Sequence, residues 1–537
     1  MQTAIISEKL VSINPATGET LGEVAIQSVA EVADCIERAR QAQKHWSQIP
    51  MRTRAHQLRQ VGKYLVTHTD QITDTISREN GKTRAEALAS EVLTAAMAVD
   101  YYTRMAPRWQ KPGRLGMSSL MSSYKQSTVH RVPYGVVGII SPWNYPFAIP
   151  FHEIILALLA GNAVILKGAS ETPLVTQEIA EALTAASLPD DLFAVVTLPG
   201  HQAGPAFLDH GVDKLNFTGS VAVGKFLMAK AAEYLTPLSL ELGGNDAMII
   251  CADANLKRAA AGAVWAGLQN AGQACGSIER ILVHEEVLDP FLQELQSQVG
   301  ALTVGDPQQP DTGMGVITTR SQWQTIKTHL DDAVQRGARI LVQSKNPVLE
   351  YPFFPATVLV DVTPDMLLMR EETFGPLLAV IPVKDMETAV ELANATSLGL
   401  TGSIWTNDRL RGRVLARKLA AGVVTVNDHL ISHGLPETPW GGFRESGLGR
   451  THGQEGFNSM TQLQTVVDDR LPFLHRYPWW PPYSAAQYDE LKGVLNLFFG
   501  SSWSARFRGL RAASGLLPGM LKKINRKHES GMIKMVS

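Results

Sequence analysis

Apolar residues recur at three- and four-residue spacing in the first hundred residues and later gather in short runs. The spacing predicts amphipathic helices over Val29–His45, Arg52–Glu79 and Arg84–Met105. Beyond them, the short runs alternate with segments of helix length, which is the pattern of parallel βαβ units. The predicted strands are Val136–Ile140, Ala163–Leu166, Phe193–Val196 and Lys214–Phe217 in a first series, and Ile281–Val283, Ala356–Val360, Leu377–Val383 and Val423–Asn427 in a second. The pattern predicts an α/β fold.

The size and composition suit a soluble enzyme of several domains. A length of 537 residues exceeds what one hydrophobic core usually organises, so two or three domains are expected. Hydrophobic content of 45% and charged content of 19% are ordinary for globular proteins. Three cysteines cannot form a disulfide framework and suit a reducing compartment. The first ten residues include Glu8 and Lys9 and lack the apolar core of a secretory signal, so a cytoplasmic location is expected.

Charge is distributed unevenly along the chain. From Leu491 to Ser537 there are nine basic residues against one acid, Glu529, a net charge of +8, whereas the whole chain carries −2. The rest of the chain therefore carries −10. This asymmetry distinguishes the C-terminal segment from the rest of the chain and predicts that the segment binds an anionic surface.

Three segments hold side chains that can act together in covalent catalysis. Glu241, in Glu241-Leu242-Gly243-Gly244-Asn245, is a carboxylate that can activate water. Cys275 follows 34 residues later in Gly272-Gln273-Ala274-Cys275 and is a candidate nucleophile. Upstream, Asn144 in Pro142-Trp143-Asn144-Tyr145-Pro146 carries an amide that can donate to an oxyanion.

The three cysteines differ in their surroundings. A lone cysteine is more often a small buried hydrophobe than a nucleophile. Cys35 lies in a helical pattern, and Cys251 ends the apolar run Ala247–Ile250, which predicts a buried strand, so both fit a structural role. Cys275 is surrounded by small or polar residues, which would let a substrate approach.

In their order and spacing, these segments resemble the aldehyde dehydrogenase superfamily. Three more of its motifs are present: Phe217-Thr218-Gly219-Ser220, Glu371-Glu372-Thr373-Phe374-Gly375-Pro376 and Pro439-Trp440-Gly441-Gly442-Phe443. The resemblance covers roughly Ile13 to Asp468 and implies an NAD(P)-dependent enzyme. The presence of Glu241 favours thioester hydrolysis over transfer to coenzyme A, since the acylating branch generally lacks this residue.

The resemblance also implies a domain plan. A Rossmann-type cofactor domain would comprise residues 1–118 and 135–243, and an α/β catalytic domain residues 244–461. A small bridging sheet that joins subunits would comprise 119–134 and 462–469, so a homodimer or homotetramer is expected. Residues 470–537 would form a C-terminal extension.

Each catalytic residue has a role in the superfamily. The thiol matching Cys275 attacks the aldehyde carbonyl, and the resulting oxyanion is held by the amide matching Asn144 and by the backbone N–H of the cysteine. Removing one such donor costs on the order of 10²–10³ in rate. Glu241 matches the base that activates the hydrolytic water. No metal is expected.

Cofactor binding is predicted without a G-x-G-x-x-G loop. In Phe217–Lys225 a strand ends, Gly219 turns the chain and a helix begins, so free N–H groups can face a pyrophosphate. The cofactor residues implied by the resemblance are Trp143, Lys167, Ser170, Gly219, Ser220, Leu242, Glu372 and Phe374.

The choice between NAD and NADP depends on the residues after Lys167. Many NAD-using relatives have a glutamate three residues after this lysine, which binds the ribose 2′-hydroxyl and repels a 2′-phosphate. Here the residue is Ser170, as in NADP-using relatives, and this favours NADP. Glu171 lies one position later and could still reach the ribose, so both cofactors stay open.

The expected substrate is an apolar aliphatic or aromatic aldehyde. Tyr145, Phe147, Phe151 and Trp440 lie near positions that line the aldehyde tunnel of the superfamily. Relatives that oxidise succinate semialdehyde often have an arginine eight residues after the motif asparagine, where this chain has His152. A succinate-semialdehyde-type enzyme is one alternative, since histidine can become charged. A non-catalytic scaffold of the same fold is another.

The segment beyond about Arg470 exceeds the usual length of the superfamily. Residues 476–483 form a Pro- and aromatic-rich connector similar to the ending of fatty-aldehyde-type relatives. The apolar run Val494–Phe499 is too short to span a bilayer, and Pro518 can begin a last basic helix. A subunit contact, a partly disordered tail and peripheral membrane attachment are alternatives; nucleic-acid binding is disfavoured.

Overall fold

The computed structural model describes residues 9–118, 122–345, 349–475 and 477–516. The strands are β1 (Lys9–Ile13), β2 (Thr20–Ala25), β3 (Gly113–Arg114), β4 (Lys125–Pro133), β5 (Val136–Ile140), β6 (Ala163–Lys167), β7 (Phe193–Val195), β8 (Lys214–Thr218), β9 (Leu238–Glu241), β10 (Asp246–Ile250), β11 (Ile278–His284), β12 (Arg339–Gln343), β13 (Thr357–Val360), β14 (Leu377–Val383), β15 (Thr401–Trp405), β16 (Val423–Val426), β17 (Gly447–Leu448) and β18 (Thr461–Asp469). The helices are α1 (Val29–Trp46), α2 (Met51–Thr67), α3 (Thr69–Asn80), α4 (Arg84–Ala87), α5 (Leu93–Trp109), α6 (Ala148–Ala160), α7 (Pro173–Thr184), α8 (Gly200–Asp209), α9 (Val221–Ala231), α10 (Leu256–Leu268), α11 (Leu288–Ala301), α12 (Arg320–Gln335), α13 (Leu367–Arg370), α14 (Met386–Asn394), α15 (Arg409–Ala416), α16 (Ile431–Gly434), α17 (Gly453–Ser459), α18 (Ala485–Phe499) and α19 (Trp503–Ala513).

The N-terminal helices follow the predicted amphipathic pattern, with two breaks. The segment predicted as one helix over Arg52–Glu79 is two helices, α2 and α3, because His68 leaves helical geometry at φ −112° and ψ 18°. Within the predicted helix Arg84–Met105, the π-helical turn Leu88–Val92 joins α4 to α5. Apolar periodicity identifies the buried face of a helix. It does not show a short break when the helices on both sides of the break bury the same face.

A six-stranded sheet contains the strands of the first predicted series. Its order is β17-β9-β8-β5-β6-β7, and its pairs are parallel except for β17 against β9. The chain starts at β5, runs outward to β7, and returns to β8 on the other side of β5. In doubly wound sheets, a ligand crevice forms where the strand order reverses, outside the carboxyl ends of the strands. That point lies here between β5 and β8.

A seven-stranded sheet contains the second predicted series, in the order β12-β13-β14-β11-β10-β15-β16. All of its pairs are parallel except β12 with β13. The sequence did not predict β15, although all five of its residues are buried. Its first residues are Thr401, Gly402 and Ser403, which do not form an apolar run. The predicted α/β fold class is confirmed.

The described residues form two compact units. The first comprises residues up to 111 and 131–463, and the second comprises 112–130 and 464 onward. The second unit includes most of a three-stranded sheet in the order β18-β4-β3 and a helical hairpin of α18 and α19. In the hairpin, a Cβ on Gly493 would lie 2.6 Å from the Cβ of Ala512, so the two helices pack at close range.

Helices long and apolar enough to cross a membrane are absent from the part of the chain that the structure describes. The last helix predicted from Pro518 lies outside the described residues.

Candidate active site

The candidate site combines residues at the ends of strands from both the six-stranded and the seven-stranded sheet. Asn144 follows β5 and Gly219 follows β8, at the point where the strand order reverses. Glu241 ends β9, and β10 begins five residues later at Asp246. Asp246 is paired with Ile278 at the start of β11, three residues after Cys275. The predicted base and nucleophile are therefore brought to one place by the register of β10 and β11.

The loop that carries Cys275 has an unusual backbone. Asn270, Ala271 and Gly272 have φ of 52°, 54° and 72°, which is the left-handed region that costs non-glycine residues energy. The Gln273 side chain holds the loop in place. Its Nε2 donates to the Asn270 and Val316 carbonyls at 2.8 and 3.2 Å, and its Oε1 accepts from Thr318 N at 2.9 Å. The nucleophile thus lies on a braced turn.

Asn144 is buried and fixed in orientation. Its Nδ2 donates to the Gln273 carbonyl at 3.1 Å, which leaves a second N–H for a ligand. Its own carbonyl accepts from Lys82 Nζ at 2.8 Å and from Asn270 Nδ2 at 3.0 Å. Lys82 in turn pairs with Glu91 at 2.6 Å, and both side chains are fully buried. Glu91 also accepts from Phe147 N at 2.8 Å. The Lys82–Glu91 ion pair is therefore bonded to the backbone at both Asn144 and Phe147.

The carboxyl group of Glu241 is buried and unpaired. Neither oxygen has a hydrogen-bond partner within the described ranges. Burial, and then the charge of Glu153, raises the pKa of Glu241 well above its usual range, while Arg450 opposes the shift. A carboxylate that lacks donors and is held in an apolar site is a strong base once it is ionised.

The Cys275 thiol is partly exposed and borders three cavities. Burial of its surroundings, followed by the charges of Glu372, Asp246 and Glu241, raises the pKa of this thiol. The other cysteines are buried, at the end of β10 and within α1, as their sequence surroundings predicted. Cys275 is therefore the cysteine with access from a cavity.

One cavity of about 230 Å³ contains most of the predicted cofactor residues beside Cys275. Its lining includes Trp143, Gly219, Ser220, Leu242, Glu372 and Phe374, together with Asn144 and Glu241. The N-terminus of α9 begins at this cavity, with Ser220 as its cap. Exposed N–H groups at a helix N-terminus attract phosphate. This donor set and the cavity fit a nicotinamide dinucleotide.

Glycine is required beside this cavity. A Cβ on Gly243 would collide with the Glu372 carboxylate, and one on Gly244 would meet the Cys275 carbonyl at 2.5 Å. Gly244 N donates to Glu372 Oε1 at 3.1 Å. The loop with Glu372 and Phe374 is fastened by buried Glu279, which accepts from Thr373 N and Phe374 N at 2.8 Å each.

The two predicted adenosine-side residues lie outside this cavity. Lys167 is the buried last residue of β6, and burial lowers its pKa while Glu171 opposes the shift. A Cβ on Gly200 would lie 3.9 Å from Lys167 Nζ, which places the ammonium near the start of α8. Ser170 is half-buried and Glu171 is exposed in the turn that follows.

A second cavity of about 280 Å³ reaches Cys275 from the other side. Tyr145, Ile149 and Trp440 line its interior, while Leu93, Trp265 and Ile431 are 52%, 40% and 41% exposed at its rim. Among the described lining residues there is no Asp, Glu, Lys or Arg. An apolar, uncharged channel thus leads to the thiol.

Two of the predicted tunnel residues are elsewhere. Phe147 and Phe151 are fully buried in the hydrophobic core and stack on each other at 5.0 Å, so their assignment to the aldehyde wall was wrong. Both lie on or beside α6, every residue of which is buried. His152 is also absent from the residues that line the channel. Tyr102 forms a hydrogen bond with its Nδ1 at 2.9 Å, and burial lowers the pKa of His152 well below the usual range.

Sequence reasoning missed the residues that hold the site in place. Lys82, Glu91, Asn270 and Glu279 were not identified as candidates. Glu91 offered one signal, because it falls on the apolar face of a predicted helix, in line with Ala95 and Ala98. A charged residue on such a face is rare unless it is paired.

Comparison with known proteins decides the family. The model described as "Aldehyde dehydrogenase family" matches residues 3–466. The chain belongs to the aldehyde dehydrogenase family. A 4,4'-diapolycopene aldehyde oxidase from Methylomonas sp. is 36% identical over 508 residues, 94% of each chain.

Two further members of the family are similar over most of the chain. A Mycobacterium ulcerans protein provisionally named succinate-semialdehyde dehydrogenase [NADP(+)] 2 is 37% identical over 457 residues, 85% of this chain and 88% of that protein. The structure of succinate-semialdehyde dehydrogenase from Burkholderia pseudomallei has a TM-score of 0.82 and 33% identity over 86% of this chain and 95% of its own. The aldehyde dehydrogenase fold expected from the sequence motifs is thus confirmed.

Proposed function

We propose that the chain oxidises aldehydes to carboxylic acids through a thioester on Cys275. The observation that carries the proposal is that Cys275 borders both the apolar channel and the cofactor-type cavity, with Asn144 and Glu241 lining the latter. Among the described lining residues, Cys275 is the one that the two cavities share, so an aldehyde and a nicotinamide could meet at this thiol.

The residues divide the reaction between them. The Cys275 thiolate forms a C–S bond with the aldehyde, and the free N–H of Asn144 stabilises the oxyanion of the thiohemiacetal. The cofactor, when bound, supplies the hydride acceptor that turns this adduct into a thioester. Glu241 then takes a proton from water as the water oxygen bonds to the acyl carbon and the C–S bond breaks. The carboxylic acid is released, and the Cys275 thiolate is regenerated.

For the cofactor we propose NADP, with NAD as the alternative. Ser170 places no carboxylate at the position where NAD-using relatives have glutamate. The Mycobacterium ulcerans relative carries NADP(+) in its name. Ser220 and the α9 N-terminus would hold the pyrophosphate, Glu372 the nicotinamide ribose, and Lys167 the adenosine ribose.

For the substrate we propose an apolar aldehyde. The uncharged lining of the channel and its exposed apolar rim support this class. A relative named for 4,4'-diapolycopene aldehyde agrees with it. Succinate semialdehyde is a second candidate, because other relatives carry its name. It is disfavoured because the lining has no Lys or Arg for its distal carboxylate, burial lowers the pKa of the lining residue His433 to about 4, and His152 is buried outside the lining.

We also propose roles for the second unit. The sheet of β3, β4 and β18 would join subunits into a homo-oligomer, as its counterparts do in the family. The hairpin would dock on an anionic membrane surface. In α19, Trp503, Phe507 and Leu510 form an exposed apolar stripe, flanked by Arg506 and Arg511. An apolar stripe with basic flanks is typical of helices that lie at a membrane interface.

The chemistry is tested by replacing Cys275 and Glu241. Cys275→Ala should abolish oxidation and retain nucleotide binding, because the nucleophile is lost and the nucleotide contacts are not. Glu241→Gln should slow thioester hydrolysis by on the order of 10²–10⁴, so that acyl-enzyme accumulates. Nicotinamide absorbance with an aldehyde panel and both cofactors measures the first effect, and intact-protein mass spectrometry measures the second.

The control for these variants is Cys251→Ala, at a buried cysteine outside the site, which should retain activity. More than a trace of activity in Cys275→Ala would contradict the covalent mechanism. Higher kcat/KM for succinate semialdehyde than for octanal or benzaldehyde would favour the second candidate substrate.

A further inference from the structure

A third cavity, of about 10 Å³, lies between Cys275, Glu241 and Glu153. A volume of this size is at the lower limit for holding one water molecule. The remaining lining includes the polar residues Thr218, Thr451 and His452. Its lining is thus polar enough to bind a single water beside the thiol.

Glu153 is a carboxyl group that the mechanism above does not use. It lies nine residues after Asn144 on α6, a helix that is otherwise almost wholly apolar, and it is 3% exposed. Lys214 on β8 offsets the charge of Glu153 and donates to Ser239 Oγ at 2.9 Å. An acid buried on an apolar helix with a cation nearby calls for a functional explanation.

We propose that Glu153 is a second acceptor for the water that cleaves the thioester. The water donates one hydrogen to Glu241 and the other to Glu153, so that a lone pair of its oxygen faces the acyl carbon on Cys275. As the C–O bond forms and the C–S bond breaks, the proton passes to Glu241 and the sulfur leaves as thiolate. Glu153 keeps its charge and orients the water. The inference rests on the proposed function.

The electrostatics of the cavity agree with this division of roles. Burial raises the pKa of Glu153 to about 7, while the Asn216 side chain and then the charge of Lys214 oppose the shift, so Glu153 is mostly ionised at pH 8. Its charge then raises the pKa of Glu241 further. The other titratable or charged groups facing the two carboxyls are Cys275, His433, His452 and Arg450. Glu241 therefore holds the transferred proton, and Glu153 makes it a stronger base.

The test follows acyl-enzyme decay, which needs no nicotinamide. The full-length protein is acylated with p-nitrophenyl acetate, and the acyl group on Cys275 is followed by quenching and intact-protein mass spectrometry. Glu153→Gln should slow decay on the order of tenfold at pH 8 and leave the p-nitrophenol burst unchanged. The acid limb of the decay rate should move to lower pH, because Glu241 loses a neighbouring negative charge. Glu153→Met, which has no acceptor oxygen, should slow decay further.

The matched control is Glu79→Gln, the same change at a buried acid whose pKa burial also raises to about 7. Glu79 accepts from Leu174 N and Val175 N and does not line this cavity. This variant should leave decay unchanged. Unaltered decay and pH profile in a folded Glu153→Gln would overturn the inference, as would an equal fall of burst and decay without a pH shift. If the wild-type protein forms no acyl adduct on Cys275, the proposed function itself fails.

Discussion

The Cys275 thiol reacts only as a thiolate, yet burial and three nearby carboxyl groups raise its pKa. The thiolate fraction should therefore grow about tenfold per pH unit well below that pKa. We expect the rate of alkylation by neutral iodoacetamide to rise about tenfold from pH 7 to 8 and again to 9. Cys275→Ser is the control and should remain unlabelled, since Cys35 and Cys251 are buried. A rate that levels off below pH 8 would contradict this prediction.

We expect cofactor preference to depend on Ser170, in the turn after β6. Ser170→Glu should weaken NADP more than NAD, because the carboxylate would repel the 2′-phosphate. Kd values for both nucleotides, measured by fluorescence titration, test this. Glu171→Gln is a control for charge at the neighbouring exposed position. Equal losses for both nucleotides would mean that Ser170 faces away from the ribose.

At the scale of elements, the Lys82–Glu91 pair joins a π-helical turn to the loop before α6. Lys82 Nζ also bonds the Asn144 carbonyl, and Glu91 bonds the Phe147 and Ala148 amides. π-Helical turns are often found at functional sites. This turn contains the buried Glu91, whose side chain would point in another direction if the helix were regular.

Glu91→Gln should lower the free energy of unfolding by about 3–5 kcal/mol, because it leaves a buried lysine without its counter-charge. Thermal and denaturant unfolding measure the loss. The double variant Lys82→Met/Glu91→Gln should recover much of the stability, since it removes the stranded charge. It should not recover kcat, because the Asn144 carbonyl loses the Lys82 donor and retains the one from Asn270. Full recovery of kcat would show that the pair has no part in positioning Asn144.

At the scale of the whole molecule, the basic segment beyond Leu491 separates this chain from family members of ordinary length. The Methylomonas relative aligns over 508 residues and the Mycobacterium ulcerans one over 457, so the former alignment extends into this segment. The exposed stripe of α19 would supply the apolar part of the proposed membrane contact, and its arginines would supply the charge.

Removal of Ser484–Ser537 should abolish flotation with anionic liposomes, because it removes both the apolar stripe and most of the basic charge. Trp503→Ser/Phe507→Ser should weaken it, whereas Leu410→Ser/Val414→Ser, at exposed apolar positions of α15, should not. Binding should fall between 0.1 and 1 M salt as the Debye length shortens from about 10 to about 3 Å. If the intact protein stays soluble at low salt while truncation changes its oligomer size, the hairpin is a subunit contact.

The sequence by itself determined the fold class and the family. Short apolar runs and helical spacing are local properties, because burial of a strand or of a helix face dictates residue types along a few turns of chain. The motifs at Asn144, Glu241 and Cys275 are likewise contiguous, so they could be identified before any contact was known. The break between α2 and α3 and the strand β15 were not predicted. The break leaves the apolar spacing unchanged, and the first residues of β15 do not form an apolar run.

Only the tertiary structure decided which side chains face the cavities and which brace them. Phe147 and Tyr145 are two residues apart, yet the first is in the core and the second lines the channel, because the backbone turns into α6 between them. The placement of Glu153 beside Glu241, and of Lys82 beside the Asn144 carbonyl, depends on packing between segments distant in sequence. A buried charged group destabilises a core unless packing supplies a partner for it. The local sequence does not show which residue that partner is.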